Sequence, residues 1–275
     1  NNINETPVVS SGTTGTVDEN AATSTVVYTA AATDPEGSAV TYLLSGTDAA
    51  SFTINSSTGA LTLNASANYE TKTSYSLNVL AKDGVNTGLK SVTISVTNVN
   101  EAPVLTAPAS QSVNQNTATA LTGISVADPD SGANPITVTL SAAAGTFAAT
   151  TGSGVNVAGS GTSLVSLSGT QTNINSFIAA SKVTYTTAAG ATGTVTLNIG
   201  SNDGGNSGSG GAQTDSKTET LNIAVSNAAP TVTSGASASV AENAVTSTVV
   251  YTAAATDPES DTLTYALTGT DAASF

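Results

Sequence analysis

Thirteen of the 19 acidic residues in this 275-residue chain stand in short motifs around three prolines, Pro7, Pro103 and Pro230. They are Glu5, Glu19, Asp34, Glu36, Glu70, Asp83, Glu101, Asp128, Asp130, Asp203, Glu242, Asp257 and Glu259. A glutamate follows twelve residues after Pro7 and again after Pro230, as Glu19 and Glu242. The first acid of an Asp-Pro-Glu follows 27 residues after the same prolines, as Asp34 and Asp257, and Asp128 follows Pro103 by 25. A solvated acidic surface would scatter its charges, so this recurrence points to carboxylates gathered for a purpose. Carboxylate and carbonyl oxygens suit a hard cation, and calcium takes roughly six to eight of them at about 2.3–2.6 Å. No Asp-x-Asp-x-Asp-Gly-x5-Glu loop occurs, so ligands for a cation must be collected from separate loops. Other chemistries are excluded by composition. Histidine, cysteine, methionine, tryptophan and arginine are all absent. That removes Ser–His–Asp and Cys–His nucleophiles and the usual zinc, haem and iron–sulfur sites. Asp34 and Glu36 could be paired as in a glycosidase. Their recurrence and an aromatic content of only 4% speak against it, and the chain is expected to be no enzyme.

The elements that must position these acids repeat. Residues 7–52 and 230–275 align without a gap and are identical at 32 of 46 positions, an offset of 223. The markers NINETP at 2–7, NVNEAP at 98–103 and a weaker VSNAAP at 225–230 divide the chain into units at 1–100, 101–228 and a partial third at 229–275. A sequence stopping in mid-unit suggests a piece of a longer array. Within the units, apolar and hydroxyl residues alternate: Tyr75, Leu77, Val79 and Ala81, then Val92, Ile94 and Val96, then Val195, Leu197 and Ile199, then Leu221, Ile223 and Val225. Alternation of this kind is a half-buried strand. No segment shows a helical period. Seven or so short strands per unit give an all-β fold of tandem antiparallel β-sandwich domains in a linear array. GGNSGSGGA at 204–212 is expected as a flexible hairpin tip. A net charge of −14 without arginine excludes a nucleic-acid partner, and no apolar run is long enough for a membrane span.

The first unit resembles a cadherin-like domain through VDEN at 17–20, TDPEG at 33–37, NYE at 68–70, AKDG at 81–84 and TNVNEAP at 97–103, in family order. The second resembles the longer Ig-like or cadherin-like repeats of giant bacterial adhesins and repeats-in-toxin surface proteins. It does so through LTGISVADPDSGANPITVTLSAAAGTF, LSGTQTNINSFIAASKVTYT and GTVTLNIGSNDGGNSGSGGA. The resemblance implies Ca2+ at the first junction. Its ligands would be Glu19 and Glu70 from unit one, Asn98, the Val99 carbonyl, Asn100 and Glu101 from the linker, and Asp128, Asp130 and Asp203 from unit two. Asn2, Asn4, Glu5, Asp34, Glu36 and Asp83 would form half of a preceding junction. Asn98 and Glu101 stand where the family has aspartates, which implies weaker or fewer ions.

Six carboxylates facing one another should splay the junction without cations and stiffen it with them. Two unit charges about 5 Å apart repel by roughly 3 kcal/mol at an effective dielectric of about 20. The second junction has Gln115 and Ala228 where the first has Glu19 and Glu101, and is expected to be ion-free or weakly occupied. The implied function is a calcium-stiffened spacer in a large secreted or cell-surface bacterial adhesin. The alternative is a self-associating subunit of an extracellular filament, sheath or matrix. Partners would be neighbouring repeats or other copies, and the sequence names no distal surface or glycan ligand.

Overall fold

The computed structural model describes residues 3–205 and 207–275, and the strands it contains follow the alternating segments. In the first unit they are β1 (Val8–Val9), β2 (Thr14–Asp18), β3 (Val26–Thr29), β4 (Ala32–Thr33), β5 (Thr41–Ser45), β6 (Phe52–Ile54), β7 (Ala60–Leu63), β8 (Ser74–Lys82) and β9 (Thr87–Thr97). One sheet has the order β2-β9-β8-β5, the other β3-β7-β6, and β1 pairs with β4. Strand β2 runs parallel to β9, and the other pairings are antiparallel. The inward residues of β8 and β9, Leu77, Val79, Ala81, Val92, Ile94 and Val96, are buried against Val27, Phe52, Leu61 and Leu63 of the facing sheet. The Phe52 and Tyr75 rings meet edge to face at 5.2 Å.

The second unit contains β10 (Val104–Thr106), β11 (Ser110–Asn114), β12 (Thr119–Ala120), β13 (Ser125–Ala127), β14 (Ile136–Ala142), β15 (Thr146–Ala148), β16 (Asn156–Ala158), β17 (Leu164–Gly169), β18 (Thr184–Thr186), β19 (Thr194–Asn202) and β20 (Thr214–Ala224). A six-stranded sheet, β11-β20-β19-β14-β17-β16, faces a three-stranded one, β12-β18-β15, and β10 pairs with β13. The parallel pairing of β11 with β20 repeats that of β2 with β9. Both units therefore present their connecting loops at the ends of a sandwich, where the acidic motifs lie.

Beside two single-turn 3-10 helices at Ala49–Ser51 and Ala272–Ser274, one α-helix departs from the all-strand expectation. Helix α1 spans Gln171–Ala179, capped by Thr170, whose hydroxyl accepts the N–H of Asn173. Only Ile174, Phe177 and Ile178 are buried, at the i, i+3, i+4 spacing of a single apolar turn, too short for a visible period. The helix completes the exposed edge of β13. Asn175 bonds both the N–H and the carbonyl of Val126, and Gln171 Oε1 accepts the N–H of Asp128 at 2.8 Å.

The third segment repeats the first unit's local bonds without its core. Strand β21 (Thr231–Val232) pairs with β22 (Ala255–Thr256) as β1 does with β4. Tyr251 Oη lies 2.6 Å from Gly235 O and Ser234 Oγ, as Tyr28 Oη does from Gly12 O and Ser11 Oγ. Phe275 is 78% exposed, whereas its counterpart Phe52 is 5% exposed. Residues 230–275 hold no counterparts of β8 and β9, the strands that cover this face in unit one.

Inside the second sandwich sits a charged residue type with no partner. Glu219, on β20 opposite Leu197, is 1% exposed, and neither carboxyl oxygen has a hydrogen-bond partner. Strands β10, β11 and β19, which pack against β20, carry no charged residue. Burial pushes the carboxyl up from its usual 4.5 to about 7. The raised value means that the neutral form belongs to the folded state. Its contribution is full below about pH 4.5 and is lost as pH rises through about 7. A shift of this size corresponds to about 3 kcal/mol. Denaturant unfolding at pH 5 and pH 8 should show Glu219→Gln losing about 2.5 kcal/mol less than wild type between the two, since part of the effect is already lost at pH 5. Equal pH dependence in the two proteins would contradict this.

Candidate metal centre

The first joint is built around one buried carboxylate. Glu19, just past β2, is 2% exposed. Its Oε1 accepts the N–H of Val99 in the linker, and its Oε2 accepts the N–H of Tyr69, each at 2.8 Å. The second bond fixes the loop that carries Glu70. Asn20, the next residue, has φ 58° and donates through Nδ2 to Glu101 Oε1. Asn116 and Asn243 stand in the same left-handed conformation, each thirteen residues after its linker proline. Asparagine tolerates that conformation better than other side chains with a Cβ.

The second unit closes on the linker from the other side. Asp128 Oδ1 accepts the N–H groups of Asp130 and Ser131, a turn that directs Asp130 to the linker. Asp130 Oδ2 accepts the N–H of Glu101 at 2.6 Å. Asp203 Oδ1 accepts the N–H groups of Gly205 and Gln213, and its Oδ2 accepts Asn100 Nδ2 at 2.6 Å.

These bonds bring one oxygen each from Glu19, Glu70, Glu101 and Asp130 within 4.8 Å of one another. Asp128 and Asp203 fall outside this group of four, Asp128 hydrogen-bonded to the linker-facing Asp130 and Asp203 to Asn100 of the linker. No lysine enters, and the one ion pair among the described residues, Lys72 with Asp48, is elsewhere. The electrostatic cost is visible in the carboxyl groups. Burial, then the close approach of the Asp130 carboxylate and repulsion from Glu19, pushes Glu101 up to about 7. Desolvation, with repulsion from Glu19 and Asp130, raises Glu70. Burial, with repulsion from Asp203 and Asp130, raises Asp128. Burial also opposes the charge on Asp203, but the Gln213 and Gly205 N–H groups and the Asn100 amide outweigh it and hold this carboxyl low.

Five buried oxygens at the joint have no hydrogen-bond donor: Asn98 Oδ1, Asn100 Oδ1, Glu101 Oε2, Asp128 Oδ2 and Asp130 Oδ1. Buried polar atoms are normally satisfied. A set made only of oxygens, largely carboxylate, matches what a hard divalent cation binds.

The residues around Pro7 repeat the upper half of this arrangement. Asn4 Nδ2 donates to Asp83 Oδ2 at 2.9 Å, as Asn100 does to Asp203. The N–H of Glu5 donates to Glu36 Oε2 at 3.0 Å, as that of Glu101 does to Asp130. Asp34 Oδ1 caps Glu36 and Ser38, and its Oδ2 is buried without a donor. Asn2 lies outside the described residues. At the second joint the N–H of Ala228 donates to Glu259 Oε2 at 3.1 Å, so the backbone bond survives there too. The facing end differs. Gln115 donates to Ala191 O and offers no charge. The Asp48 that recurs as Asp271 serves the fold, its Oδ2 accepting the N–H of Ser76.

Two residues outside the expected ligand set also build the joint, Asn20 and Tyr69. Asn20 was visible as the last letter of the VDEN motif. Tyr69 acts through its backbone N–H, which no residue type announces.

The cadherin domain family matches residues 13–100. No match to the sequence is found among curated proteins. Among solved structures, human protocadherin-24 EC1-2 is similar at 16% identity and TM-score 0.54, covering 81% of this chain and 100% of that one. Protocadherin gamma B2 domains 3-6 are similar at 21% identity and TM-score 0.54, covering 92% of this chain and 55% of that one. Mouse cadherin-23 EC22-24 is similar at 20% and 0.52, covering 93% and 78%. The likeness is one of fold: tandem cadherin-like sandwiches.

Repulsion within the cluster is directly testable. In chelator at pH 8, Glu101→Gln keeps an oxygen for Asn20 and removes a charge, so it should raise stability by about 1 kcal/mol. A loss of stability in chelator would show that the carboxylates are not in conflict.

Proposed function

We propose that the chain is a calcium-stiffened structural spacer, non-enzymatic, from a large secreted or cell-surface bacterial adhesin. Its units would run over 1–100 and 101–228, with 229–275 opening a third. The observation that carries this reading is the set of five buried, donorless oxygens beside the Glu19, Glu70, Glu101 and Asp130 cluster. Glu19, Glu70, Asn98, the Val99 carbonyl, Asn100, Glu101, Asp128, Asp130 and Asp203 would hold calcium at the first joint. Asn4, Glu5, Asp34, Glu36 and Asp83 would supply the upper half of a site to a preceding unit. Bound calcium supplies positive charge that cancels the repulsion among carboxylates from two sandwiches, so both are held to one linker. The second joint, with Gln115 and Ala228 where the first has Glu19 and Glu101, would remain ion-free or weakly occupied. A spacer with alternating stiff and compliant joints extends while tolerating bending.

Calorimetric titration of the full chain with calcium, together with melting in calcium and in chelator, tests this. The expected result is calcium-linked heat and a melting point raised by calcium. Glu101→Ala should weaken binding by about tenfold or more, while Asp48→Ala changes it little. No heat at millimolar calcium, or equal effects of the two variants, would remove the claim. Electron microscopy of the same protein separates the spacer from a filament subunit: the spacer stays monomeric in calcium, whereas the filament subunit polymerises.

A further inference from the structure

The linker has a second set of contacts that are largely backbone. Between β19 and β20 the chain loops out, and Ser207–Gly211 lies along residues 98–100. Ser209 donates its N–H to Asn98 O at 3.0 Å, and Asn100 donates its N–H to Ser209 O at 2.7 Å. Val99 and Ser209 pair as an isolated parallel bridge. Asn98 Nδ2 donates to Ser207 Oγ at 3.4 Å, and Asn100 Nδ2 donates to Gly211 O at 2.8 Å. The neck of the loop is closed by Asp203, whose N–H donates to Gln213 O and whose Oδ1 accepts the N–H groups of Gly205 and Gln213.

This is not the flexible hairpin tip that the glycine-rich sequence suggests. Gly208 has φ 77°, and a Cβ there would lie 2.8 Å from Val99 C and closer still to Asn98 Oδ1 and Asn100 N. The glycine permits backbone to approach backbone at the linker. The bonds to Asp203 and Gly211 occupy both hydrogens of the Asn100 amide, which sets its side chain and leaves Oδ1 without a donor. Unit one has no such loop. Its corresponding turn is short, with Asp83 Oδ1 accepting the N–H groups of Val85 and Asn86, and it meets the chain around Pro7 through side chains, Asn86 Nδ2 donating to Asn4 O and Glu5 O and Asp83 Oδ2 accepting Asn4 Nδ2.

The geometry points to Ser207–Gly211 as a strap that holds the linker, and with it the Asn98 and Asn100 side-chain oxygens, in place before any cation arrives. Gly208, Ser209 and Gly211 are then positioning residues for the joint. The linker keeps its path along the second unit without calcium, and the ion meets a preset pair of amide oxygens rather than ordering them. The effect on calcium rests on the reading given above, whereas the hold on the linker does not.

Amide hydrogen exchange of the full chain in chelator tests the strap. Gly208→Val removes the close approach, and Ser209→Pro removes the N–H that bonds Asn98 O. Ser209→Ala keeps both backbone bonds. The Asn100 amide should be protected in wild type and in Ser209→Ala, and should exchange about tenfold faster or more in the other two. Amides of Leu197 and Leu221, in the core, should be unchanged. Should Gly208→Val disturb that core, the pair of Ser209 variants decides. Calcium titration of the same proteins should show a several-fold weaker affinity in Gly208→Val and Ser209→Pro. Asn100 exchange at one rate in all four proteins overturns the proposal. Absence of calcium binding in wild type overturns the ion reading alone, because the exchange comparison is made without cation.

Discussion

The bond that the first joint depends on is the double acceptance by Glu19. One carboxylate, removed from water, takes the N–H of Val99 in the linker and the N–H of Tyr69 in a loop of the unit below. Charge-assisted bonds of this kind are stronger than neutral ones. They make the end of the first sandwich and the start of the linker a single piece. Glu70 is then held close to Glu19 whether or not that suits its charge. The second sandwich attaches to the next linker residue by the same device, with Asp130 accepting the N–H of Glu101. Two acids used to pin backbone thus become two acids aimed at each other. Charge crowding at this joint is a consequence of how the linker is fastened.

The three linkers show which part of that device is general. In each, the residue two before the proline donates its N–H to the second acid of the Asp-Pro motif: Glu5 to Glu36, Glu101 to Asp130, Ala228 to Glu259. This fastening does not need an acidic linker residue, since Ala228 does it through backbone alone. What Ala228 and Gln115 lack is the excess of carboxylate. Fastening and carboxylate crowding are therefore separable, and the first joint has both. The loop on Asn98 and Asn100 adds a third fastening there, from a region whose composition alone implies freedom.

Much of this was legible in the sequence, for physical reasons. Strands such as β8 and β9 alternate cleanly because one face meets the core and the other meets water. The acids stood out because loops at sandwich ends recur at fixed distances from the linker proline, so Glu19, Asp34, Asp128 and Asp130 could be grouped before any fold was seen. Three features were not legible. Helix α1 buries one turn, too little for periodicity. Glu219 sits in the alternation of β20 at a position that pattern assigns to the core, but its residue type hides it among surface acids. The glycine-rich segment signals only permissive backbone, and permissive backbone serves close packing on Val99 as well as it serves mobility.

The central claim is that carboxylates from two sandwiches are held together against their own repulsion and that a cation relieves it. The chain has no cysteine, so spin labels can be placed cleanly at Ser57→Cys in the first unit and Thr172→Cys in the second, both exposed positions. The distance distribution between them, measured by pulsed electron paramagnetic resonance in chelator and in calcium, reads the joint directly. The account predicts a broader distribution in chelator that narrows when calcium is added. A distribution of the same width in both conditions would contradict it.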